Sequence, residues 1–92
     1  MYCILIYDIK NDEISTYRSR NVFNIAKKYL IHIQKSIFEG EITEVQYTKL
    51  IKNLKEFLSY DDDSCIMFTS RNKKWMTKRF ITKKNDDTSN FL

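Results

Sequence analysis

Proline is absent from the 92 residues, and glycine occurs once. Gly-rich phosphate loops, collagen-like repeats and Pro-rich linkers are thereby excluded. Cysteine occurs twice, as Cys3 and Cys65, each inside an apolar run where a thiol behaves as a small hydrophobe. With no CxxC pair and no Cys/His cluster, the sequence offers no zinc site. No apolar run approaches the ~20 residues of a membrane span. The first such run is short, is broken by Asp8 and lacks a basic lead-in, so it does not read as a signal peptide. The expectation is a reduced, cytoplasmic location with no membrane partner.

What is present describes a globular chain. Hydrophobic residues make up 42% and charged residues 30% of it. The length suits a single domain over residues 1–92. A domain this small buries roughly 60–65% of its unfolded surface, so a second buried surface would help it. Six Phe, six Tyr and one Trp supply large apolar groups. The net charge of +4 is unevenly placed: residues 1–70 carry −1, and residues 71–92 carry +5. That basic C-terminal segment favours a polyanion such as nucleic acid, although a solvated tail that keeps the chain soluble has the same composition.

Residues 2–9 read as a strand with two apolar faces, Asp8 being its one carboxylate. Residues 16–30 turn helical, with Val22, Phe23, Ala26, Tyr29 and Leu30 at three- and four-residue spacing. Residues 31–42 are extended, and hold either two short strands with a tight turn or one long bent strand. Thr43-Glu44-Val45-Gln46 fits a capping box that opens a helix running to about Leu58. Its apolar stripe is Tyr47, Leu50, Ile51, Leu54, Phe57 and Leu58. Asp61, Asp62 and Asp63 read as a solvated acidic loop, since no EF-hand spacing or glycine follows. Residues 64–70 form another strand, apolar on both faces, and a short strand is expected near 78–82.

This order predicts an α+β ferredoxin-like sandwich, one antiparallel sheet with two helices on one face. Two helices cover only that face. The two-sided apolar strands call for something on the other, and a homodimer is the expected cover.

The ordered motifs resemble a known family, the small adaptation protein of CRISPR systems, the second CRISPR-associated protein or Cas-two. The resemblance spans nearly the whole chain. It rests on Tyr7-Asp8-Ile9 ending the first strand and Arg18-Ser19-Arg20 opening the helix. Gln34-Lys35-Ser36-Ile37-Phe38-Glu39-Gly40, the helix led by Thr43, and Asp63-Ser64 complete the set. Ser36-Ile37-Phe38-Glu39-Gly40 is its most specific part, matching the family's Ser-aliphatic-Phe-Glu-Gly pattern. The resemblance implies a symmetric homodimer with sheets face to face and C-terminal segments crossing toward the partner subunit. It also implies CRISPR integrase subunits and double-stranded DNA as partners in spacer acquisition, and a metal-dependent endonuclease activity on RNA or DNA.

Asp8 is the candidate catalytic and metal-binding residue. A carboxylate on an apolar strand face is costly unless it is paired or binds a cation. In the resembled dimer two copies of Asp8 meet near the two-fold axis, where Mg2+ would relieve their repulsion and polarise a phosphate. The competing reading makes Asp8 a cap for the loop at residues 10–15.

Arg18 and Arg20 are candidate phosphate clamps, or else exposed helix residues. His32 stands where the family often has Arg; it reads as a phosphate contact, a general base or a partly exposed strand residue. Ser36 reads as a phosphate ligand or a backbone hydrogen-bonding group. Phe38 reads as core or dimer interface. Arg71, Lys73, Lys74, Lys78, Arg79, Lys83 and Lys84 suit a DNA backbone tracked without sequence readout. Trp75, among them, suits packing on the partner or stacking on a base. Two further functions stay open on sequence alone: a ferredoxin-like toxin-type ribonuclease with no CRISPR role, and a non-catalytic interaction module.

Overall fold

The computed structural model describes residues 1–82 of the chain. Strand β1 (Tyr2–Asp8) leads through a loop into helix α1 (Ser15–Tyr29). A hairpin of β2 (Ile31–Gln34) and β3 (Ile37–Glu41) follows, then helix α2 (Glu44–Lys55) and strand β4 (Ser64–Ser70). The sheet is antiparallel in the order β2-β3-β1-β4, which is the ferredoxin-like arrangement with β1 central.

The alternation of side chains along β1 divides the molecule. Cys3, Leu5 and Tyr7 face the helices and join Val22, Ile25, Ala26, Leu30, Phe38, Leu50 and Leu54 in the core. Phe38 is fully buried and packs its ring against Phe23 at 5.2 Å and Tyr7 at 6.1 Å. The other face of β1 carries Tyr2, Ile4, Ile6 and Asp8. In register beside it stand Ile37 and Glu39 of β3, and Ile66 and Phe68 of β4. No helix among the described residues covers this open face, and Ile66 and Phe68 are about half exposed on it.

Local chemistry explains the elements. Thr43 Oγ1 accepts from the Gln46 amide while the Gln46 side chain accepts from the Thr43 amide, so the capping box forms as expected and is worth about 1 kcal/mol. Residues 31–42 resolve into two strands, because the turn between them is tight and Lys35 takes a left-handed φ of 41° there. The same segment accounts for the Ser-Ile-Phe-Glu-Gly pattern. Gly40 lies where β3 passes the end of α1, and a Cβ there would sit 3.3 Å from Leu30 Cδ2.

Two expectations are corrected. Helix α2 ends at Lys55 rather than near Leu58, since the Phe57 and Leu58 amides both turn back to the Leu54 carbonyl. No strand forms at residues 78–82. After a 3-10 turn at Lys73–Trp75, Lys78 reaches Glu39 on the open face, so this stretch crosses over the sheet and does not run along an edge where a ladder could form. Lys83, Lys84 and the Phe91-Leu92 end lie outside the described residues.

Candidate functional site

Asp8 ends β1 on the open face, exposed, opposite Ser64 of β4. Among the described residues the ion pairs go to Asp12, Asp62, Asp63 and Glu39, and none goes to Asp8. Nor does Asp8 cap the following loop. That role falls to Asp12, whose carboxylate accepts from the Ile14 amide at 3.0 Å. Asp8 is thus a charge presented outward beside an apolar surface. Among the described residues no three His, Cys, Asp or Glu side chains gather into a metal cluster. Among the described residues the rim of the open face beside Ser64 offers Mg2+ the carboxylate of Asp8, which suits an ion that takes few protein ligands and keeps several waters.

Arg18 requires a correction. It does not lie free at the helix start to clamp a phosphate; it is a buried residue whose guanidinium is already bonded. It forms an ion pair with Asp63, reaches Asp12 Oδ2 at 3.3 Å, and donates to the carbonyls of Phe57 at 3.2 Å and Lys10 at 3.5 Å. Asp63 is the matching correction, since its side chain is 1% exposed and not part of a solvated loop. Its carboxylate accepts from Arg18, from the Lys10 amide at 2.8 Å and from the Ser59 amide at 2.7 Å. Asp61 and Asp62 remain exposed as expected, with Lys10 Nζ 3.6 Å from Asp62.

Bonding to Arg18, aided by the two amides and opposed by burial, holds the Asp63 carboxyl at about 2, below its ordinary value of 3.8. The sign follows from that direction. A carboxyl depressed in the folded state stabilises the protein above its unfolded value, and the stabilisation is lost as pH falls toward the folded one. The urea midpoint of the wild type is therefore expected to drop between about pH 5 and pH 2. In Asp63→Asn this part of the acid limb should flatten. An unchanged acid limb in the variant would show that Asp63 does not set it.

His32 lies on the helix side of the sheet, opposite Phe38 in register, so it does not share a face with Asp8. Its Nε2 bonds the Lys35 carbonyl at 2.7 Å, and its ring packs edge-on against Phe23 at 4.8 Å. This environment makes it a clamp on the β2–β3 turn and leaves no general-base role at Asp8. Ser36, in that turn, accepts the Tyr7 amide at 3.2 Å through its carbonyl, which puts it next to Asp8 in the sheet but not on the same face. Arg20 is exposed on α1 and pairs with no carboxylate among the described residues.

The basic segment lies at the other end of β4. Ser70 pairs with Tyr2 and Ser64 with Asp8, so exposed Arg71, Lys73 and Lys74 begin about 20 Å of strand away from Asp8. Arg79 is also exposed. Lys78 is spoken for, since it pairs with the buried carboxylate of Glu39, which also accepts from the Tyr2 hydroxyl. Burial pushes the Lys78 ammonium below its ordinary value and the Tyr2 phenol above its own.

The fold is a ferredoxin-like sandwich whose open sheet face exposes Ile6, Ile66 and Phe68, with Asp8 at the end of the inner strand β1 in no ion pair among the described residues. The family model described as CRISPR associated protein Cas2 matches residues 1–78, and the chain is a member of that family. It is 44% identical to the CRISPR-associated endoribonuclease Cas2 of Fusobacterium nucleatum, over 100% of this chain and 87% of that one. It is 37% identical to the CRISPR-associated endoribonuclease Cas2 2 of Moorella thermoacetica, over 97% and 99% of the two chains. The fold is shared with the crystal structure of Streptococcus pyogenes Cas2, with a TM-score of 0.72 at 20% identity, covering 87% of this chain and 99% of that one. No helix among the described residues is long and apolar enough to cross a membrane.

Proposed function

We propose that two copies of this chain pack open face to open face, and that the dimer serves CRISPR spacer acquisition by holding double-stranded DNA with the integrase. We propose also that it is a Mg2+-dependent endonuclease on RNA or DNA. The observation that carries this reading is the apolar surface left exposed at Ile6, Ile66 and Phe68 of this face, with Asp8 at its rim in no ion pair among the described residues. The relatives' naming as endoribonucleases supports the nuclease half. Closing the two faces would bring two Asp8 carboxylates into one site and make a cation favourable there. When bound, the ion would polarise a phosphate and lower the pKa of a water. Asp8 would hold the ion, and the surrounding isoleucines would keep bulk water off its inner side.

Holding DNA falls to a different region. Arg71, Lys73, Lys74 and Arg79 lie at the opposite end of the strand, exposed and suited to phosphate contacts without base readout. Duplex DNA binding should therefore weaken steeply with salt. Neutralising Lys73, Lys74 and Arg79 should lower the log–log slope by about 0.9 for each phosphate that is no longer neutralised. The same variant should fail to acquire spacers in cells that carry the array and the integrase. Binding that ignores salt, or acquisition that survives this neutralisation, would remove the basic segment from the DNA-holding role.

A further inference from the structure

Three side-chain and backbone groups converge just behind Asp8. Asp63 accepts from the amide of Lys10, two residues past Asp8, and Arg18 donates to the carbonyl of the same Lys10. The peptide groups on either side of Lys10 are thus gripped by one buried ion pair at the point where β1 leaves the sheet. On the neighbouring strand Asp63 is followed directly by Ser64, the register partner of Asp8. Arg18 also bonds the Phe57 carbonyl, and Asp63 the Ser59 amide, so the pair is tied to the end of α2. The Asp8 carboxylate, exposed on the open face, makes no ion pair among the described residues that would fix it. Its placement depends on the backbone around it: the Tyr7 amide before it is held by the Ser36 carbonyl, while Lys10 after it and Ser64 across the ladder lead to this pair.

We propose that Arg18 and Asp63 are positioning residues for Asp8. They hold the last pair of the β1–β4 ladder closed and so fix the direction in which Asp8 meets a divalent cation. The inference rests on the metal-binding reading of Asp8 given above. Arg18 then serves the site from the helix side of the sheet without touching phosphate. The fork of the guanidinium is what the role requires, since a single ammonium cannot reach Asp63 and two carbonyls together.

The test compares full-length wild type with Arg18→Lys, which keeps the charge and loses the fork. Asp63→Asn is the second variant should the first not fold. Amide exchange reports the backbone, and titration with Mn2+, followed by broadening of the Asp8 amide, reports the cation. In the variant the amides of residues 8–10 and 64 should exchange about tenfold faster, while those of Leu5 and Met67 keep their wild-type rates. The Mn2+ concentration for half-broadening should rise about tenfold, the usual size of an outer-shell effect. Faster local exchange with unchanged Mn2+ binding would make the pair a staple between elements and overturn the proposal. If the wild type itself does not bind Mn2+ at Asp8, the metal reading fails. The positioning role falls with it, whereas a wild type that binds Mn2+ and a variant that binds it equally well overturn the positioning role alone.

Discussion

Asp8→Asn is expected to reduce metal-dependent cleavage of RNA or duplex DNA by at least about a thousandfold, or ~4 kcal/mol of activation free energy. The side chain keeps its size and loses the charge that would bind the cation. Folding should be untouched, because Asp8 is exposed and takes part in none of the ion pairs among the described residues. A surface change of that kind moves stability by no more than about 0.5 kcal/mol. In the proposed dimer the variant should also associate at least as well as the wild type in chelator, since two like charges would no longer approach each other. Cleavage with and without chelator, read beside sedimentation of the same samples, checks all three points. Cleavage that persists in the variant would assign the activity to other residues or to a contaminant. A wild type that never cleaves would leave the chain a DNA-holding scaffold.

Phe68→Asp is expected to turn the proposed dimer into monomers, raising its dissociation constant by about a thousandfold or more, ~4 kcal/mol. Phe68 stands opposite Ile4 on the open face, next to the Ile6–Ile66 pair, and is half exposed in the single chain. A central aromatic on such a face becomes an anchor once a second copy covers it. An aspartate there would have to give up its water without a partner cation. The monomer should still fold, because Phe68 lies outside the core formed by the helices and the inner sheet face. Lys49→Asp, an exposed change on α2, is the control. Light scattering across a dilution series gives the mass. A variant that remains dimeric would move the interface off this face.

Much of this is legible in the sequence for a plain reason. Alternating and helical periodicities mark burial by the chain's own elements, and β1, α1 and α2 follow them, whereas β4 forms as expected but buries no residue fully in the single chain. The two-sided apolar strands point to an uncovered face without any geometry. Residues whose role depends on distant partners are not legible. Asp63 looks like its neighbours Asp61 and Asp62, and only folding brings it to Arg18, 45 positions earlier in the chain. The signal available is Asp63-Ser64 where the loop enters β4, which marks position but not partner. Arg18 misleads for the same reason, since a basic residue near a helix start looks like an anion site until a carboxylate is seen to fill it. His32 follows its strand pattern, yet its bond to the Lys35 carbonyl depends on a turn whose existence the sequence leaves open.

The division of β1 into two faces separates two kinds of evolutionary constraint. Substitutions at Cys3, Leu5 or Tyr7 are judged by whether one chain folds; those at Ile4, Ile6 or Asp8 are judged by what the chain meets. The helix layer tolerates apolar exchanges as long as its volume is kept. A saturation library scored once for abundance and once for spacer acquisition should therefore yield two maps that alternate residue by residue along this strand.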